Sequence, residues 1–164
     1  MRTPTPLTVE ALTKVYGEVT ALRDVSFIAQ PGRVTGFLGP NGAGKTSTLR
    51  ILLGLNTATA GRALIDGQRY RDLEAPLRRV GGSLSSDVFH PGRSGRDHLL
   101  TLALAGGIDR ARVDTVLTQV GMAEAGGRRV GGYSLGMRQR LGLAAALLGD
   151  PDALVLDEPI NGLD

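Results

Sequence analysis

The 164 residues allow one domain at ~100–200 residues per domain, and 41% hydrophobic with 21% charged residues is the composition of a folded globular chain with no run of the ~18 apolar residues a membrane span needs. The absence of cysteine excludes a disulfide framework, a thiolate zinc site and a cysteine nucleophile. The formal charge is +3, but the basic residues are scattered, Trp is absent and Phe and Tyr number three each, so no clustered basic surface with stacking aromatics is laid out for nucleic acid.

The chain opens Met1-Arg-Thr-Pro-Thr-Pro, a charge without the apolar stretch of a secretory signal, and a cytoplasmic protein is expected. Leu7–Leu12 alternates apolar and polar residues, and Val25–Ala29 is rich in strand formers before a Pro31-Gly32 turn signal, so both predict strands. Val34–Leu38 is short and apolar and runs into a glycine-rich segment, which predicts a buried strand. Thr46–Leu53 predicts a helix stopped by Gly54, and Arg62–Ile65 followed by Asp66-Gly67 predicts a strand and a tight turn.

Beyond Ser94 the hydrophobic period lengthens. Ser94 with Asp97 forms a capping-box pattern ahead of the apolar stretch Leu99–Ala105, and Arg110–Val120 is a second amphipathic segment halted by Gly121. Ser134 is placed to cap a third helix, with Met137, Leu141, Ala145 and Leu148 at helical spacing and Asp150-Pro151 as its end. Ala153–Leu156 then predicts a short apolar strand leading into Asp157-Glu158. The pattern is mixed α/β with a helical insert at roughly residues 85–135, without internal repeats.

The chemistry concentrates in Gly39-Pro40-Asn41-Gly42-Ala43-Gly44-Lys45-Thr46, followed by Ser47. Glycines at these positions let the backbone curl so that N–H groups converge on phosphate oxygens, and the helix that follows adds the positive end of its dipole. Lys45 is then placed to reach the β- and γ-phosphates, and the Thr46 hydroxyl to ligate Mg²⁺. The second signal is Leu154-Val-Leu-Asp157-Glu158-Pro159, an apolar strand delivering adjacent carboxylates. Asp157 can hold Mg²⁺ through water, and Glu158 can orient and deprotonate an attacking water. A strand ending in Asp is common on its own, and the phosphate loop is what gives this one meaning. His90 and His98 have no cysteine or carboxylate at ligand spacing and read as loop or surface residues.

Tyr133-Ser134-Leu135-Gly136-Met137-Arg138-Gln139-Arg140 lies between these motifs. In this order the set resembles the nucleotide-binding subunits of ABC transporters. The phosphate loop matches that family's G-P-N-G-A-G-K-[ST] form, and Tyr133–Met137 resembles its L-S-G-G-Q signature, with Ser134 and Gly136 retained and with Leu135 and Met137 departing from it as happens in drug- and antibiotic-exporting branches. Asn161-Gly-Leu-Asp164 is similar to the D-loop that follows. The resemblance implies a P-loop NTPase (ABC ATPase) α/β core with an N-terminal antiparallel β subdomain and the helical insert, all within a single domain over residues 1–164.

By resemblance, Tyr16 stacks on adenine, residues 39–47 bind the phosphates, and Ser134 and Gly136 close over the γ-phosphate held by an opposite subunit, which Asp164 contacts. The implied protein is an ATPase that binds ATP and Mg²⁺, pairs with a second nucleotide-binding subunit, and sits on the inner face of the membrane against a permease supplied by another chain, powering transport, with export favoured. One departure is Ser85, which falls where the family's coupling loop carries a glutamine; a shorter side chain there predicts altered coupling.

In the family some tens of residues follow the D-loop, including a strand ending in a histidine that contacts the γ-phosphate. The resemblance therefore implies that the C-terminal part of the domain is missing from residues 1–164, leaving central apolar strands with unpaired backbone groups at ~1–3 kcal/mol each, so that this stretch alone is expected to be unstable or inactive. Two rival readings are a soluble ABC ATPase acting on nucleic acid or ribosomes, and an inactive remnant. Against the first stand the single phosphate loop, the short insert and the lack of cysteine for a zinc insertion; against the second stand the intact Lys45 and Glu158.

Overall fold

The structure is a computed structural model, and it describes residues 5–84 and 89–158. The chain divides into two compact units, Met1–Arg79 and Val80–Asp164.

The first unit is built on a 3-stranded antiparallel sheet of order β2-β1-β3, with β1 at Leu7–Tyr16, β2 at Val19–Ala29 and β3 at Ala60–Ile65. Leu7 and Val9 of β1 face the core as a period of two demands, and Leu12 should then face outward. It is buried because β1 carries an extra residue, Ala11 at φ 46, opposite both neighbours. The bulge rephases the strand and turns Leu12 back inward. Gly61 on β3 accommodates this bulge: a Cβ there would strike the carbonyl oxygens of Glu10 and Ala11. β3 ends in Asp66 (φ 51) and Gly67 (φ 75), both left-handed, closing the tight turn that the Asp-Gly pair predicts. A helix α1 at Lys45–Leu52 lies against the sheet and buries Thr48, Ile51 and Leu52, and a four-residue turn of helix, α2 at Pro76–Arg79, closes the unit. The Arg79 guanidinium meets the Asp66 carboxylate at 2.6 Å.

One expectation is corrected here. Val34–Leu38 belongs to no strand, and Val34 and Leu38 are 102% and 92% exposed. Apolar, β-branched composition records a preference, but a strand is held by the ladder beside it, and among the described residues no strand pairs with this segment. Phe37 anchors it, its ring lying 5.0 Å from that of Phe27 on β2.

The second unit pairs β4, Val80–Ser83, in parallel with β5, Ala153–Leu156, in the register Val80↔Ala153 to Ser83↔Leu156. Three helices fill the crossover: α3 at Gly95–Ala105, α4 at Ala111–Gln119 and α5 at Leu135–Leu147. Their apolar faces meet through Leu99, Ala103, Val113, Val116, Leu117 and Leu141, all buried. Both predicted serine caps are present, with the Asp97 amide donating to Ser94 Oγ at 3.0 Å and the Met137 amide to Ser134 Oγ at 3.2 Å. The Ser94 pair is not the reciprocal box: its hydroxyl donates to the Asp97 carboxylate at 2.6 Å. β4 has no strong strand signal, being half glycine. Gly81 explains why, since a Cβ there would run into the Ala146 carbonyl of α5, which lies flush on the strand. Arg112 secures the far end of α5 by donating to the carbonyls of Leu147 (3.0 Å) and Leu148 (3.3 Å).

Candidate nucleotide-binding residues

The phosphate-loop sequence Gly39–Thr46 leads directly into α1. Gly42 (φ 83) and Gly44 (φ 82) hold left-handed backbone that other residues reach only with strain. Gly44 is also sterically required, because a Cβ would overlap the Leu22 side chain and the Ala21 carbonyl of β2. Gly44 caps the helix with no side-chain acceptor, and the first intrahelical bond is the Thr48 amide to the Gly44 carbonyl at 2.9 Å. By helix geometry the amides of Lys45, Thr46 and Ser47 point ahead of the helix end.

No acidic residue complements this helix start; its first residue is instead Lys45. A cation at the positive end of a helix dipole runs against the usual preference, as expected where a ligand supplies the negative charge. Lys45 folds back across the loop, its ammonium donating to the carbonyls of Gly39 at 2.7 Å and Pro40 at 2.9 Å, and the Ala43 amide bonds Pro40 O at 3.2 Å. The loop is thus a closed ring around one positive charge, with Asn41 and Ala43 exposed on its rim. Thr48 is a support that sequence reading passes over: fully buried, it donates its hydroxyl to the Gly44 carbonyl at 3.1 Å and fixes the turn from which α1 starts. A threonine one turn into a helix signals such back-bonding.

Tyr16 sits at the end of β1 and is 44% exposed. The Lys14 ammonium lies 4.7 Å from its ring centroid, and its hydroxyl accepts a hydrogen bond from Asn56 Nδ2 at 2.8 Å.

In the second unit, the signature residues open α5. Ser134 is the N-cap, Leu135 is exposed and Gly136 lies in the first turn, again with no acidic residue there. Tyr133 anchors this start from below: buried where Gly95 leaves room for its ring, it donates its hydroxyl to Ala125 O at 2.7 Å, and burial raises its pKa above the ordinary tyrosine value. Arg138 returns from α5 to the Tyr133 carbonyl at 2.8 Å. Asp157 follows β5 directly and extends the pairing, its amide donating to Ser83 O at 2.9 Å. Glu158 comes next with φ 47, a left-handed conformation that a non-glycine residue holds at a cost of order 1–3 kcal/mol and that clusters at functional sites.

The two histidines have local partners. His98 stacks edge-on against Phe89, with centroids 4.9 Å apart, and His90 Nδ1 accepts from the Gly92 amide at 3.2 Å. Among the described residues no group of three or more His, Asp or Glu side chains is placed to hold a metal ion, and no helix is long and apolar enough to cross a membrane. Ser85 and the segment Asn161–Asp164 lie outside the described residues.

Comparison with known proteins gives a consistent result. The profile of the ABC transporter family matches residues 22–161. The bacitracin transport ATP-binding protein BcrA of Bacillus licheniformis is 43% identical over 155 residues, which is 93% of this chain and 51% of that protein. The lantibiotic transport ATP-binding protein SrtF of Streptococcus pyogenes is 35% identical over 158 residues, 96% of this chain and 68% of that protein. A solved ATP-binding subunit of an ABC transporter matches the structure with a TM-score of 0.81 at 26% identity, over 94% of this chain and 66% of that one. The chain spans about half the length of the bacitracin relative.

Proposed function

The chain belongs to the ABC transporter family, and from that membership we propose that it is the ATP-binding and ATP-hydrolysing part of a transporter subunit, docked on a membrane permease and powering export. The observation that carries the reading is Lys45: a cation at the positive end of α1, ringed by a glycine loop and lacking an acidic complement. That arrangement is built for a polyanion. Relatives named for bacitracin and lantibiotic transport support export of antibiotic-like compounds.

In this reading residues 39–47 wrap the phosphates, with Lys45 leaving its loop carbonyls for the β- and γ-phosphates. Tyr16 stacks on the adenine. Ser134 and Gly136, at the serine-capped start of α5, present the Ser134 hydroxyl and backbone amides to the γ-phosphate held by a second subunit, making the ATP sites composite. The segment at roughly 85–135 is a helical subdomain within one ABC ATPase domain. Glu158 orients and deprotonates the attacking water.

The residue types that the two motifs supply suit Mg²⁺. A threonine hydroxyl and one aspartate are hard oxygen ligands, too few for an all-protein cage and suited to an ion that keeps waters and shares phosphate oxygens. Thr46 and Asp157 would hold it, and it would neutralise charge developing on the phosphoryl group.

Glu158→Gln in the intact protein tests the assignment. It should preserve ATP binding, stop hydrolysis and trap an ATP-bound dimer, read as a doubled mass in solution. Turnover at the unmodified rate would remove Glu158 from the mechanism.

A further inference from the structure

The bond between Asn56 and Tyr16 joins residues from different elements, and neither backbone needs it. Tyr16 closes β1 opposite Val19 of β2, so its main chain is already fixed by the ladder. Asn56 lies just past α1 in a turn held by the amides of Leu55 (2.8 Å) and Asn56 (3.3 Å), both donating to the Arg50 carbonyl. The same connection is stitched to β1, with the Thr59 amide donating to Thr13 O at 2.8 Å and the Val15 amide to Thr59 Oγ1 at 3.0 Å. What remains free at the end of β1 is the orientation of an exposed aromatic ring. Two contacts settle it: the Asn56 amide group on the hydroxyl at 2.8 Å, and the Lys14 ammonium 4.7 Å from the ring centroid, on one face.

We infer that Asn56 is a positioning residue for the purine ring of the bound nucleotide, fixing Tyr16 by its hydroxyl while Lys14 occupies one ring face and leaves the opposite face for the base. This rests on the reading of Tyr16 as the adenine-stacking residue. An aromatic side chain already held in one rotamer loses less freedom when a base stacks on it, so binding is tighter than to a free ring. The arrangement also links two ends of one helix: α1 begins at the phosphate loop, and the turn after it delivers Asn56 to the base platform. The pairing is invisible in the sequence, where 40 positions separate the partners.

The test measures binding of ATP and of inorganic tripolyphosphate to the intact protein and to Asn56→Ala, Tyr16→Phe, their double variant and Tyr16→Ala. Tyr16→Phe keeps the ring and removes only the hydroxyl. Losing the pre-ordering of one side chain should weaken ATP about fivefold in Asn56→Ala and in Tyr16→Phe, with no further loss in the double variant. Tripolyphosphate, which has no base, should bind all variants alike. If Asn56→Ala binds ATP unchanged while Tyr16→Ala binds it weakly, the inference is overturned and base stacking on Tyr16 stands. If Asn56→Ala weakens tripolyphosphate as much as ATP, Asn56 acts through α1 and the phosphate loop, and the inference is again overturned. If Tyr16→Ala has no effect, the stacking role itself fails and takes the inference with it.

Discussion

Lys45 and Glu158 are the two motif residues whose local conformations run against ordinary preference. A cation begins α1 where a carboxylate would be favoured, and a glutamate takes the left-handed backbone that glycine prefers. Sequence motifs mark both residues, but neither distortion is readable from sequence, because each is a matter of backbone course rather than residue type: the fold of the loop that turns the Gly39 and Pro40 carbonyls to Lys45, and the left-handed turn that Glu158 takes past the end of β5. At this scale the structure also makes a pH prediction. Burial, and secondarily Arg93, lower the His98 pKa below the ordinary histidine value. The folded protein then binds fewer protons than the unfolded chain, so this contribution to stability is complete above the unfolded pKa of ~6.5 and is lost as pH falls through the folded one. Melting temperature should therefore drop on acidification below neutrality, and His98→Gln should flatten that part of the curve. An identical acid profile in the variant would contradict the assignment.

At the scale of elements, much was legible where local pattern and tertiary role agree. Ser94 and Ser134 announce their helices because capping is a local interaction, and Asp66-Gly67 its turn because both residues tolerate positive φ. β5 runs from Ala153 to Leu156 as its apolar run predicts. β4 and the segment Val34–Leu38 show the two ways pattern fails. Val80–Ser83 is a strand despite its glycines, since α5 comes too close for a side chain at Gly81. Val34–Leu38 has strand composition but no partner strand among the described residues. The bulge at Ala11 is a third case, because the burial of Leu12 follows from a register that only the neighbouring strands define. The glycine argument is testable: Gly81→Ala forces a methyl against the Ala146 carbonyl, a backbone atom that cannot swing away. Denaturant unfolding should show a loss of about 3 kcal/mol or more, and an unchanged midpoint would mean that α5 does not lie on β4 as described.

At the scale of the whole chain, the most exposed large apolar side chains among the described residues are Val34 and Leu38, immediately before the phosphate loop. Apolar surface of this kind drives association rather than folding. In the 164-residue chain, replacing both by serine should leave the melting temperature unchanged and reduce aggregation and binding of a hydrophobic dye. A fall in melting temperature would show the segment to be core.

The central claim is that the glycine loop before α1 binds the phosphates of ATP around Lys45. Calorimetric titration of ATP into the intact protein and into Lys45→Ala tests it most directly. Saturable binding to the unmodified protein and none to the variant is the predicted result, because the alanine protein keeps the helix start but loses the charge at its centre. ATP binding of equal affinity in both would contradict the assignment of the loop.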